Sequence, residues 1–200
     1  MIRVPEIKLP LDSTEEDLLF YTAKQMKTDV KEIQSIQLVK RSIDARNKQN
    51  IHFICTVDVA LNHESVFMKH NKNSKIKYVA PYEYTIPATK KLETRPIVVG
   101  FGPAGMFAAL ILAQAGQNPI VIERGSAVEK RQEQVFSFWY GEKLNPESNV
   151  QFGEGGAGTF SDGKLNTGTK DGRARKVLLE LEEAGAPSEI LYLAHPHIGT

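Results

Sequence analysis

The chain has 200 residues, of which 41% are apolar and 24% charged, and its formal net charge is +1. That is an ordinary globular composition, with enough chain for one large domain or two small ones. Residues 1–94 carry +3 and residues 95–200 carry −2, so neither half is basic enough to suggest a nucleic acid or an anionic membrane as a partner.

The N-terminal MIRVPEIKLPLDS lacks the long apolar core of a signal peptide. Within it, residues 2–8 alternate weakly and predict a strand. Ser13 and Glu16 have the spacing of a capping box, so a helix is expected from Thr14, with Leu18, Leu19, Ala23 and Met26 as its apolar stripe. Two strand-like runs follow, 33–43 and 50–61, joined by the polar DARNKQN, which reads as a hairpin turn. The single cysteine, Cys55, lies in the second run. It excludes an intrachain disulfide or a CxxC pair and reads as a buried core thiol. The resulting β-α-β-β order predicts a small α+β module over 1–80. Residues 62–80 fit neither helix nor strand clearly. Residues 81–95, with their prolines, read as a linker.

From residue 96 the pattern changes. A short apolar strand, PIVVG, leads into a helix from Pro103 to Ala115, closed by Gly116. A second strand, 118–123, ends in Glu123. A helix over 128–140 is expected behind a Ser126–Glu129 capping box, and another over 174–184 ends at Gly185. The longest apolar run, around Phe107–Ala115, is far short of the ~20 residues that span a bilayer. No membrane span is expected, and a cytoplasmic location is.

The strand–helix–strand order gives meaning to Gly100-Phe101-Gly102-Pro103-Ala104-Gly105. GxGxxG alone is a weak signal, but here it follows an apolar strand and opens a helix. A second strand then ends in an acid 18 positions after Gly105. Gly100 suits the tight turn, and Gly102 lets backbone N–H groups approach a pyrophosphate. Gly105 lets the helix pack closely on the strand. Pro103 suits a first helical turn, where its missing N–H is not needed. The helix N-terminus offers donors and partial positive charge to a diphosphate. Glu123 is placed to accept from ribose hydroxyls, and its charge disfavours a 2′-phosphate. These features leave FAD and NAD both open.

A second glycine-rich stretch, residues 153–168, mixes glycines with Thr159, Ser161, Asp162 and Lys164. It suits either a loop passing close to a ligand or an ordinary surface loop.

GFGPAGMFAALILAQAG followed by VIERG resembles the FAD fingerprint of the two-dinucleotide-binding-fold flavoproteins of the glutathione-reductase type. The longer run from ERGSAVEKRQEQVFSFWYGEKLNPES to NVQFGEGGAGTFSDGKLNT is similar to a bacterial family of FAD-dependent dehydrogenases, and KRSIDARNKQNIHFICTVDV is similar to the small module that precedes their flavin domain. The resemblance implies a Rossmann-like FAD-binding domain over 96–200 after the α+β module. It implies FAD as cofactor, with hydride transfer through the flavin between a small-molecule substrate and an electron acceptor, neither identified. It places Gly100, Gly102, Pro103, Ala104 and Gly105 at the pyrophosphate and Glu123 at the ribose, with Arg124 beside the adenosine. It also puts Arg131 at the FAD phosphates, against the plain alternative of a solvated helix residue. Gly155, Gly156, Ala157 and Gly158 fall near the flavin. No catalytic acid or base stands out, and no metal site. Family members are usually much longer and carry a later Gly-Asp pair for the ribityl chain, so an N-terminal fragment is expected. The alternatives are an NAD-binding dehydrogenase and a non-enzymatic flavin-binding scaffold or sensor.

Overall fold

Strand β1, Ile2–Leu9, contains a proline at position 5 yet runs between two other strands. A bulge reconciles the two. The pairing register shifts between Val4 and Ile7, and Glu6 takes a positive φ of 61°. A bulge is where a strand tolerates proline. It also changes the alternation, so that Ile2 and Val4 before it and Ile7 and Leu9 after it are all buried. Without the inserted residue, half the strand would turn its apolar side chains outward.

A computed structural model describes residues 1–87 and 90–198; two residues of the expected linker, 88 and 89, and the last two of the chain lie outside the described set. The chain forms two compact units, one of Met1–Glu83 with Leu165–Ile198 and a second of Tyr84–Lys164. The contiguous segment 96–200 expected as one domain is therefore divided, its last part packing with the N-terminal module.

In the first unit, helix α1, Glu15–Met26, starts one residue later than the Ser13–Glu16 pattern suggests. Thr14 is the cap: its hydroxyl accepts from the Asp17 N–H at 3.3 Å, and its N–H donates to the Asp17 carboxylate at 2.8 Å. Strands β2, Ile33–Asp44, and β3, His52–Leu61, form the expected antiparallel hairpin. The ambiguous stretch resolves into helix α2, Glu64–His70, and a short strand β4, Lys77–Tyr78. The sheet order is β2-β3-β1-β4. Its core joins the β1 residues to Cys55, Val57, Val59 and Leu61 of β3 and to Met26 of α1. Helix α5, Arg173–Glu183, and a 3-10 turn at Ser188–Leu191 with buried Ile190 complete the unit. The Arg41 N–H on β2 donates to the Tyr192 carbonyl at 2.7 Å.

In the second unit, β5, Ile97–Val99, and β6, Ile120–Ile122, pair in parallel with Ile97 opposite Ile120. Helix α3, Pro103–Gln114, joins them, and a positive φ at Gly116 (72°) and Asn118 (52°) turns the chain from α3 toward β6. Residues at the expected linker's end are tied to this unit, since the Leu92 N–H and Lys90 carbonyl both bond the Gln117 side chain. Helix α4, Val128–Trp139, follows. The molecule is thus mixed α/β, with an antiparallel sheet in one unit and a small parallel sheet in the other. Among the described residues no helix is long and apolar enough to cross a membrane.

Candidate functional site

The site lies in the second unit, at the ends of β5 and β6 where the chain leaves each strand. Gly100 has φ 95° and donates its N–H to the Ile122 carbonyl at 2.7 Å, extending the parallel ladder by one bond before the chain turns. Gly102 is the N-cap of α3 and supplies no side-chain bond to the helix. Pro103 takes the first helical position, followed by Ala104. The first N–H groups of α3 have no intrahelical acceptors, as in any α-helix. Gly105 explains the third glycine most directly. A β-carbon there would lie 2.0 Å from the Gly100 carbonyl oxygen and 3.6 Å from Val98 Cγ1. The helix can approach the strand this closely only without a side chain.

Glu123, at the end of β6, bonds backbone on two sides. One carboxylate oxygen accepts the Gly125 N–H at 2.8 Å, the other the Phe101 N–H at 2.6 Å. These amides, Gly125 first and Phe101 next, hold its carboxyl below the usual range against the opposing effect of burial. The acid is therefore fixed and ionised beside the first glycine turn. Each oxygen retains a further lone pair for another donor. Arg124 is exposed; it pairs with Glu147 at 2.7 Å and lies over the Phe152 ring at 5.9 Å.

The second glycine-rich stretch packs directly on the first. The Gly155 N–H donates to the Phe101 carbonyl at 2.8 Å. Gly155 and Gly156 have φ of 83° and 65°, and a β-carbon on Gly156 would come within 3.2 Å of Gly102 Cα. Gly125 and Gly153 make a second such contact, at 2.4 Å for a β-carbon on Gly125. Residues 156–160 form a 3-10 turn carrying exposed Ala157 and Gly158. Between these elements is a groove of about 460 Å³, whose lining includes Gly100, Gly102, Glu123, Arg124, Phe152 and Gly156.

Arg131 is not the solvated helix residue that was the plain alternative from sequence. It is fully buried, and its guanidinium is spent on the loop. Nε donates to the Asn149 carbonyl at 2.9 Å and Nη2 to Val150 at 3.0 Å; Nη1 donates to Glu154 at 2.5 Å and to the Thr159 hydroxyl at 3.1 Å. The Phe160 ring lies 4.9 Å from its Cζ. Burial lowers its pKa, yet it stays charged, as arginine does in proteins. It organises the loop from below. The Ser126–Glu129 capping box does not form either. Ala127 is the N-cap of α4 without a side-chain bond, and the Val128 N–H is taken by the Glu154 carboxylate at 2.7 Å. Asp162 and Lys164 pair with each other on the surface.

Of the residues that hold this arrangement, Phe101, Gly125 and Glu154 were not singled out in the sequence, and Gly153 and Thr159 were read only as members of the second glycine-rich stretch. Gly125 and Gly153 carried a signal, Gly125 as a glycine two residues after the acid and Gly153 as the first glycine of the second stretch. The other three act through backbone groups or across 20 or more residues, which spacing does not reveal.

Two comparisons bear on the chain. Residues 1–60 match a family described as a domain of unknown function (DUF8436); this covers β1 through nearly all of β3 and none of the groove. An uncharacterized protein of Clostridium beijerinckii (strain ATCC 51743 / NCIMB 8052) is 46% identical over 201 residues, all of this chain and 38% of that relative. The chain thus spans well under half the length of the curated relative it matches, and the similarity runs through both units.

Proposed function

We propose that the second unit binds FAD and that the protein is an FAD-dependent oxidoreductase. The observation that carries the proposal is the contact at Gly105, where the helix approaches the strand so closely that a β-carbon would meet the Gly100 carbonyl at 2.0 Å. This is the task of the third glycine in a dinucleotide-binding turn. The other parts agree with it. Gly102 leaves the α3 N-terminus open toward the groove, where its N–H groups and dipole suit a diphosphate. Glu123 is ionised and fixed where a ribose would present hydroxyls. Gly155 and Gly156, held against Phe101 and Gly102, bring a second backbone edge to the same groove, which a flavin's greater extent favours over a nicotinamide dinucleotide. Arg124 and Phe152 offer a cation and a ring face at the groove wall.

When bound, FAD supplies the redox chemistry, accepting a hydride from one partner and passing the electrons to another. This chain's residues would bind and orient it: the α3 N-terminus at the pyrophosphate and Glu123 at the ribose. Arg131 would keep the second loop in place from beneath, without itself reaching the phosphates.

The test is an absorbance spectrum of the purified full chain, with chromatography of the released cofactor. Flavin bands and an adenine-containing flavin support the proposal. A protein that is colourless and stays so with added FAD, but binds NADH, moves the site to the nicotinamide dinucleotides.

A further inference from the structure

The first unit holds a recess separate from the groove above. On β2, the Arg41 guanidinium lies against two aromatic rings, its Cζ 5.1 Å from the centroid of Phe53 and 5.0 Å from that of Tyr192. The backbone fixes it there, since the Arg41 N–H donates to the Tyr192 carbonyl and the Ala194 N–H donates back to the Arg41 carbonyl at 3.2 Å. Ring contacts leave a guanidinium's N–H groups without an oxygen acceptor. Among the described residues those donors find no acceptor, and Nε is buried without a partner. A buried, unsatisfied donor is uncommon in a native protein and calls for an explanation. The residue as a whole is half-buried, so it is Nε that lacks a partner of any kind.

The recess beside it has a volume of about 300 Å³, at the lower end for small-molecule sites. Its wall is mostly apolar, with Leu18, Leu38, Phe53 and Cys55. Glu15, exposed in the first turn of α1, stands among its lining residues. One cation amid apolar walls, with an acid nearby, suits a ligand of a single negative charge and an apolar body. A dianion such as phosphate would meet Glu15 and leave the walls unused. We propose that this recess binds a small apolar monocarboxylate, its carboxylate on the in-plane donors of Arg41 and its body against Leu18, Leu38 and Phe53. The planar fork of a guanidinium matches the two oxygens of a carboxylate.

The chain's one cysteine reports on the recess. Cys55 is 1% exposed and lines it, and burial pushes its thiol up against the opposing pull of Arg41. The full chain is titrated with phenylacetate and, separately, with 2-phenylethanol, its neutral counterpart. Saturation-transfer NMR reads binding, and the rate of Cys55 alkylation by N-ethylmaleimide reads occupancy. Phenylacetate is expected to bind saturably and slow alkylation about fivefold or more, and the alcohol to bind about tenfold more weakly, as loss of a charge-assisted pair implies. Arg41→Lys keeps the charge without the fork and weakens phenylacetate about tenfold; Arg41→Gln weakens it further. Equal binding of acid and alcohol overturns the proposal, as do absent saturation transfer from phenylacetate and undiminished binding by Arg41→Gln. Protection by inorganic phosphate equal to that by phenylacetate overturns it too. The wild-type comparison of acid with alcohol depends on no variant's folding.

Discussion

Arg131→Lys separates two roles for a buried cation. The native guanidinium donates to the Asn149, Val150 and Glu154 carbonyls and to the Thr159 hydroxyl from three different nitrogens. A lysine ammonium is a point donor on a flexible stem and cannot span acceptors spread from residue 149 to 159. It can keep the Glu154 and Thr159 bonds, which share one nitrogen, and loses the other two. A hydrogen bond to a charged group contributes about 1.5–3 kcal/mol, and the stranded carbonyls regain some water as the loop relaxes, so the expected net loss is about 3 kcal/mol. With a urea dependence of about 2 kcal/mol per molar, the unfolding midpoint falls by about 1.5 M. The assay is urea unfolding of the flavin-free protein followed by tryptophan fluorescence, since Trp139 lies on α4 and contacts the Phe160 ring at 6.4 Å. If Arg131 instead served a bound phosphate, the substitution would leave the flavin-free midpoint unchanged and weaken only FAD. A midpoint shift below about 0.3 M, together with lost FAD binding, refutes the scaffold role.

Gly105→Ala places a β-carbon 2.0 Å from a backbone oxygen, so α3 must move off β5; overpacking of this kind costs about 1–3 kcal/mol, and bound flavin should fall about tenfold in parallel. Gly158→Ala, where a β-carbon meets nothing within 4 Å, should leave the same unfolding midpoint within about 0.5 kcal/mol. Glu123 has a folded-state pKa below its unfolded one, so its stabilising effect is present above the unfolded glutamate pKa of about 4.3 and is lost as pH falls through the lower folded value. Glu123→Gln should flatten that acid limb of the stability-against-pH curve and leave the slope near neutrality unchanged; an unaltered acid limb would show that the Gly125 and Phe101 amides do not hold the charge.

Much of this was legible because local chemistry decided it. The Gly100–Gly105 turn, the flanking strands and the acid at position 123 follow from a short-range pattern, and each falls within a residue or two of its expected place. The hairpin of β2 and β3 was readable from alternation and the polar DARNKQN turn. Failures occurred where a remote group outcompeted the local one. The α4 cap is the clearest case. Ser126 and Glu129 have the right spacing, yet the Glu154 carboxylate from the second loop takes the Val128 N–H. Arg131 is another: it shares the α4 face of Val128, Val135 and Phe138, yet a charged residue in a polar run reads as solvated, and the acceptors that satisfy it come from residues 149–159. The grouping of Leu165–Ile198 with the N-terminal module was not legible either, because the bonds between Arg41 on β2 and residues 192 and 194 span some 150 residues and are not written in the local sequence of α5.

The residue between the first two glycines shows why the groove behaves as one piece. Phe101 was a spacer in the motif, but its backbone carries both of the bonds that join the site. Its N–H donates to Glu123 at 2.6 Å, and its carbonyl accepts from Gly155 at 2.8 Å. The acid, the first glycine turn and the second glycine loop are therefore linked through one peptide on each side of a single residue. Gly100 must turn with positive φ for that peptide to face Glu123, and Gly155 must do the same to face Phe101. Arg131 then fixes the loop's far side, and Glu154, whose carbonyl Arg131 holds, caps α4 with its carboxylate. Displacing any one member misaligns the rest. A ligand that touches both glycine segments would meet a preorganised surface, and the ordering of those segments is already part of the folding free energy rather than a cost of binding.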